Sequence, residues 1–184
     1  MTMKAIDKLW AIFTGGQKST QCEKDKEYLT KRVNTLSREL GTSLGAIEIT
    51  GKPAGKVTIH DIPQGYDTLC ADLHYITYSV EDWINTLAQL HESVSNRLKY
   101  EKDVWDCDDF ALLYSAVLSY STYHSGLSNQ VAFCIMWSKT HAFNGYVDDQ
   151  NRVWKFEPQG GRVIGQLGKD HGKRYDVQKI WFMS

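Results

Sequence analysis

The chain has 184 residues, enough for one domain with a real core or for a compact core carrying a helical appendage. Its formal net charge is -1, with 42% hydrophobic and 23% charged residues, so composition makes no electrostatic case for nucleic acid or an anionic membrane as a partner. No stretch approaches the ~18 consecutive apolar residues of a membrane span, and the first twenty residues lack the apolar run and cleavage site of a signal peptide. Cys22, Cys70, Cys107 and Cys134 are far apart and show no CxxC spacing. They read as reduced thiols of a cytoplasmic protein rather than as a disulfide framework or a zinc site.

In chain order, residues 3–13 carry Ile6, Leu9, Trp10 and Phe13 at helical spacing, and "TGGQKST" ends that pattern. A second helix is expected over 21–40, on Tyr28, Leu29, Val33, Leu36 and Leu40, with Gly41 as its stop. "AIEIT" and "KVTIH" flank "GKPAG" and predict two strands joined by a turn. "DIPQGYDTLCADLHYIT" reads as loop. "SVEDWINTLAQLHESVSNRL" predicts a long helix, with Ser79 and Asp82 as a capping pair and Trp83, Leu87, Leu90 and Val94 as its apolar stripe. A further helix starts at Cys107 and runs to about Tyr120.

After "STYHSGLSN" the period changes. "QVAFCIMWSK", "HAFNGYVDD" and "RVWKFEPQ" predict successive antiparallel strands, with "DDQN" as the turn between the last two. "VIGQLG" and "DVQKIWFM" close the domain. Helices followed by a run of strands predict an α+β fold. The organisation expected is an amino-terminal helical and hairpin segment over 1–55, of unassigned role, and a catalytic domain over 56–184.

The chemistry gathers on "VWDCDDFALLYSAV". With Asp106 as N-cap, Cys107 sits at the first helical position, where unpaired amides favour a thiolate. Asp109 lies three residues on and meets the positive end of the helix. Successive helical residues point about 100° apart, so Asp108 and Asp109 are expected to face away from the sulfur. His141 stands at a strand start and is placed to take the thiol proton. Counting from a turn centred near Asp149 sets Glu157 opposite His141, where a carboxylate would orient the ring. The plain alternatives are an inert buried cysteine and a structural histidine. Asn144 falls on the other strand face, and Trp105, Trp137 and Trp154 read as packing around the site or simply as core.

The motifs "DCDDFA", "THAFN" and "WKFEPQ", in this order and covering about residues 60–165, resemble the papain-like and transglutaminase-like cysteine peptidase superfamily. They are most similar to the peptidases grouped with the C-terminal domain of the Marasmius oreades agglutinin. The resemblance implies a nucleophile helix packed on an antiparallel sheet. It makes Cys107 the nucleophile, His141 the base and Glu157 the orienting acid of an amide hydrolase working through a thioester on a protein or peptide substrate. It also implies an upstream oxyanion donor, for which Gln64 is the candidate. Agglutinin-type peptidases are calcium-dependent, which implies Ca²⁺ at Asp106, Asp108 and Asp109, with Asp103 beside them; helix capping is the competing role of these carboxylates. The same triad would serve a transglutaminase, deamidase or acyltransferase, and the same fold would serve a non-catalytic binding protein.

Overall fold

The computed structural model describes residues 47–182 apart from 59, 62–64, 71, 96–97, 100 and 102–104. The chain divides into two compact units, Met1–Gly45 and Ala46–Ser184, and the described residues lie in the second. The helices expected over 3–13 and 21–40 fall outside them, as does Gln64.

Eight strands and two α-helices follow one another: β1 (Gly55–Thr58), β2 (Asp67–Cys70), β3 (His74–Thr77), α1 (Val80–Ser95), α2 (Cys107–His124), β4 (Phe133–Trp137), β5 (Ala142–Val147), β6 (Val153–Glu157), β7 (Arg162–Gln166) and β8 (Lys179–Phe182). The expected papain-like/transglutaminase-like α+β class is corrected here. A six-stranded sheet dominates the described residues and only two helices accompany it. Among the described residues the two α-helices fall within 80–124, and the five strands after Val131 all join the large sheet.

Two local expectations also change. "AIEIT" forms no hairpin with "KVTIH": residues 47–50 run without regular structure, tied by Ile47 N–H to Ser121 Oγ at 3.1 Å and by Thr50 N–H to Thr86 Oγ1 at 2.9 Å. β1 pairs instead with β3, which arises from the stretch read as loop. The signal there was hidden because Asp67–Cys70 and His74–Thr77 are four-residue strands interrupted by polar positions, too short to show a period.

The large sheet has the order β2-β8-β4-β5-β6-β7, antiparallel except for the β2–β8 pair. Strand alternation sorts its two faces. Phe133, Ile135, Ala142, Asn144, Tyr146 and Phe156 face the helices. Trp83 of α1 packs on Phe133 and Tyr146, and Ala111 of α2 packs on Ile135 and Ala142. Cys134, Met136, Phe143, Val153, Ile180 and Phe182 form the other face, covered by Val57 and Tyr75 from the β1–β3 pair and by Tyr175.

The segment 167–178 explains that last contact. β7 is the outermost strand and β8 lies between β2 and β4, so the chain leaving β7 must cross the sheet to reach β8. It runs over β6 and β5 as a strap, with a short 3₁₀ turn at Lys173–Tyr175.

Candidate functional site

Cys107 is the first residue of α2. A reciprocal capping box between Asp106 and Asp109 fixes that end, with the Asp106 N–H donating to Asp109 Oδ2 at 3.2 Å. Asn144 fastens the helix to the sheet through its Nδ2, which donates to Ala111 O at 3.0 Å and to Cys134 O at 3.2 Å. It belongs to the helix-facing side and plays no part as an alternative to Glu157.

His141 immediately precedes β5, and its Nε2 donates to Glu157 Oε2 across 2.7 Å. The two residues are 6% and 4% exposed. Glu157 also accepts from Tyr175 Oη at 2.8 Å and from the Gln159 N–H at 3.3 Å. With Nε2 held by Glu157, the remaining ring nitrogen, Nδ1, is the one left for the Cys107 side chain, whose interaction with the ring raises the His141 pKa. The Cys107 sulfur in addition accepts the Ala142 N–H at 3.5 Å.

The electrostatics of the row follow from these contacts. Burial pulls the His141 ring toward its neutral form, yet the hydrogen bond to Cys107 and the carboxylate of Glu157 outweigh it and raise its pKa. Burial works to raise Glu157, but donation from His141 and Tyr175 wins and holds its carboxyl below the ordinary value. Burial pushes Cys70 up to about 11 and Cys134 well above the usual thiol range.

The carboxylates around the thiol divide. Asp109 caps, as expected. Asp108 does not face away, since ligand atoms of Asp106, Cys107 and Asp108 all lie within 4.8 Å of one another. Partial burial, a hydrogen bond with Asp106, and the charges of Asp106 and Asp109 hold Asp108 up at about 6. Ca²⁺ takes six to eight oxygen ligands. Asp106, Cys107 and Asp108 each offer one ligand atom that could hold a metal ion, while Asp109 is engaged in the cap. Asp103 falls outside the described residues.

Three contributors escaped the sequence reading. Tyr175 and Arg174 come from the strap, with Arg174 Nη2 3.3 Å from His141 Nε2 and 3.9 Å from Glu157 Oε2. Lys155, 2% exposed, donates through Nζ to Lys169 O at 3.1 Å and Tyr175 O at 3.4 Å, and so ties down the strap. One signal was present in "VWKFE". Alternation puts Val153, Lys155 and Glu157 on one face, and two charges on a face that is also apolar mark a surface that something polar must cover. Trp137 packs, like Cys107, against Ala111, Ile135 and Ala142, and meets Trp181 at a tilt with ring centroids 4.4 Å apart; Trp105 packs on Phe110. Trp154 stands apart from the site, donating to Asp148 Oδ2 at 2.8 Å.

No family model and no curated protein matches the chain. Among solved structures, the chain is similar to one titled as a PSL1a–E64 complex, with a TM-score of 0.52 and 20% identity over 69% of this chain and 51% of that one. It also matches Polyporus squamosus lectin bound to the human-type influenza-binding epitope Neu5Aca2-6Galb1-4GlcNAc, with a TM-score of 0.48 and 20% identity over 67% of this chain and 44% of that one. The first likeness shows the fold alone, and the second adds no argument. The chain spans about half the length of the structure it resembles.

These findings correct the expected family and activity. No family model matches the papain-like/transglutaminase-like assignment, and the likeness to PSL1a, at 20% identity, shows a fold and no family. The expected cysteine hydrolase acting through a thioester on a protein or peptide substrate is set aside with that family. Of the expected cytoplasmic setting, the structure bears on one part: no described helix is long and apolar enough to cross a membrane.

Proposed function

We propose that the chain is a binding protein whose ligand site is the row Cys107–His141–Glu157, with the Cys107 sulfur as the atom that meets the ligand. One observation carries this reading. A thiol at a helix start acts on a buried imidazole strongly enough to raise its pKa, and that imidazole donates to a buried carboxylate across 2.7 Å. Moving the thiol proton to Nδ1 gives a thiolate and an imidazolium. Glu157 stabilises the imidazolium, and the Ala142 N–H and the helix start stabilise the thiolate. Such a sulfur holds an electrophilic carbon by forming an S–C bond as that carbon's bond to its leaving group breaks, the leaving group departing with the bonding pair.

PSL1a is titled as a complex with E64, which makes that compound a ready probe for this chain. The test treats the full chain with E64 and, separately, with iodoacetamide, followed by intact-mass measurement and peptide mapping. One adduct, on Cys107 and ahead of the other three cysteines, is expected. Labelling spread evenly over the cysteines would remove the site. Turnover of a peptide amide or ester beyond one equivalent per chain would instead overturn the binding-only reading.

A further inference from the structure

We propose that Arg174 makes this site selective for ligands that carry a carboxylate a short distance beyond the carbon that meets Cys107. The inference rests on the Cys107 site proposed above.

Position comes first. The Arg174 guanidinium lies against the Nε2 side of His141, one imidazole ring away from the thiol. Its side chain is 58% exposed, whereas His141 and Glu157 are buried, so it is the member of the group that meets solvent.

Hydrogen-bonding capacity comes second. A guanidinium has five N–H donors in a planar fork, and a carboxylate satisfies it best through two parallel bonds. Glu157 cannot supply these. Its Oε2 already accepts from His141 and Tyr175, its Oε1 accepts from Gln159, and Arg174 approaches no closer than 3.9 Å. Were Arg174 present only to neutralise Glu157, a bidentate contact near 2.8 Å would be the ordinary geometry. The buried imidazole already provides Glu157 with its partner. Most of the fork is therefore left without a partner among the described residues.

Rigidity comes third. The guanidinium lies over the Tyr175 ring at 6.0 Å, Tyr175 is anchored on Glu157, and Lys155 holds both ends of the Lys169–Tyr175 stretch. A pre-positioned fork loses little freedom on binding an anion.

The test compares bromoacetyl-glycine with bromoacetyl-glycinamide, two alkylators that differ only in a carboxylate one residue from the reactive carbon. In both, the S–C bond forms as the C–Br bond breaks, and bromide leaves with the bonding pair. The readout is the ratio of their rates at Cys107, normalised to the same ratio for a free thiol in solution. The wild-type chain is expected to favour the acid by about tenfold, the scale of one charge-assisted hydrogen-bonded pair. Arg174→Gln should remove most of that preference and Arg174→Lys should keep part of it. An unchanged ratio in Arg174→Gln, with Cys107 still labelled first, overturns this inference and leaves the proposed site standing. Failure of either reagent to single out Cys107 overturns the site and this inference with it.

Discussion

Cys107 shares its helix end with two carboxylates that act on it in opposite senses. Asp109 folds back to cap the helix and so supports the amide dipoles that favour a thiolate. Asp108 lies close enough to the sulfur to oppose its negative charge. Asp108→Asn should therefore speed alkylation of Cys107 at pH 8 by roughly threefold, since like charges this close interact by about 1 kcal/mol in a watery setting. Below pH 5 Asp108 holds its proton, and variant and wild type should react alike. Rates of iodoacetamide labelling across pH 5–8 decide this, and a constant ratio would remove Asp108 from the account. Stability moves too. The Asp108 carboxyl is raised in the folded chain, so what it contributes is complete below 3.8 and is lost as pH rises through about 6. Urea unfolding of Asp108→Asn should show a flatter pH dependence over that window. The sequence could place the cysteine at a helix start from spacing alone. It could not place Asp108, because the 100° rotation fixes where each Cβ points and not where the side-chain rotamer carries the carboxylate.

At the scale of elements, the β5–β6 hairpin decides whether His141 meets Glu157. Its ladder pairs Val147 with Val153 and Asn144 with Phe156, which centres the turn on Gln150 and not on Asp149. One more step of that ladder sets Phe143 opposite Glu157, so His141 is a diagonal neighbour, still within reach of a glutamate. The residue count thus found the right pair through a register two residues off. Asp148 fixes the true register. It is fully buried, its Oδ1 accepts the Gln150 and Arg152 N–H groups, and its Oδ2 accepts Arg152 Nε and Trp154 Nε1. Asp148→Ala should cost about 3 kcal/mol in urea unfolding, because it leaves several donors without an acceptor. It should also slow labelling of Cys107. A loss below 1 kcal/mol would show that the strands set their own register. Lys155 plays the matching part for the strap. Lys155→Met keeps the volume and removes the tether, so the chain should stay folded while trypsin cuts faster at Lys169, Lys173 and Arg174. Unchanged cutting would mean that Tyr175 alone holds the strap. None of this long-range tethering was legible, since the strap carries neither a helical nor a strand period.

At the scale of the whole molecule, topology assembles the site from three sources. The helix layer supplies Cys107, the sheet supplies His141 and Glu157, and the crossing from β7 to β8 supplies Arg174 and Tyr175. Single strands and helices after residue 79 could be read from their periods. The insertion of β8 between β2 and β4 could not, because strand order is set by packing across the chain and not by local pattern. Since the His141–Glu157 pair ties these layers together, it should show in global stability with a defined pH profile. The pKa of His141 is raised, so its contribution is complete below its ordinary 6.5 and is lost as pH rises through the raised value. The pKa of Glu157 is lowered, so its contribution is complete above its ordinary 4.5 and is lost as pH falls through the lowered value. Both hold together between those two values. Glu157→Gln leaves a buried imidazole without its anion, and removal of one member of a buried pair costs about 3 kcal/mol. The difference in unfolding free energy between wild type and Glu157→Gln should therefore be greatest near pH 5.5 and shrink on both sides. A difference that stays flat from pH 4 to 9 would show that the two side chains pack together without acting as an ion pair. The imidazolium that stabilises the Cys107 thiolate would then be absent from the resting protein.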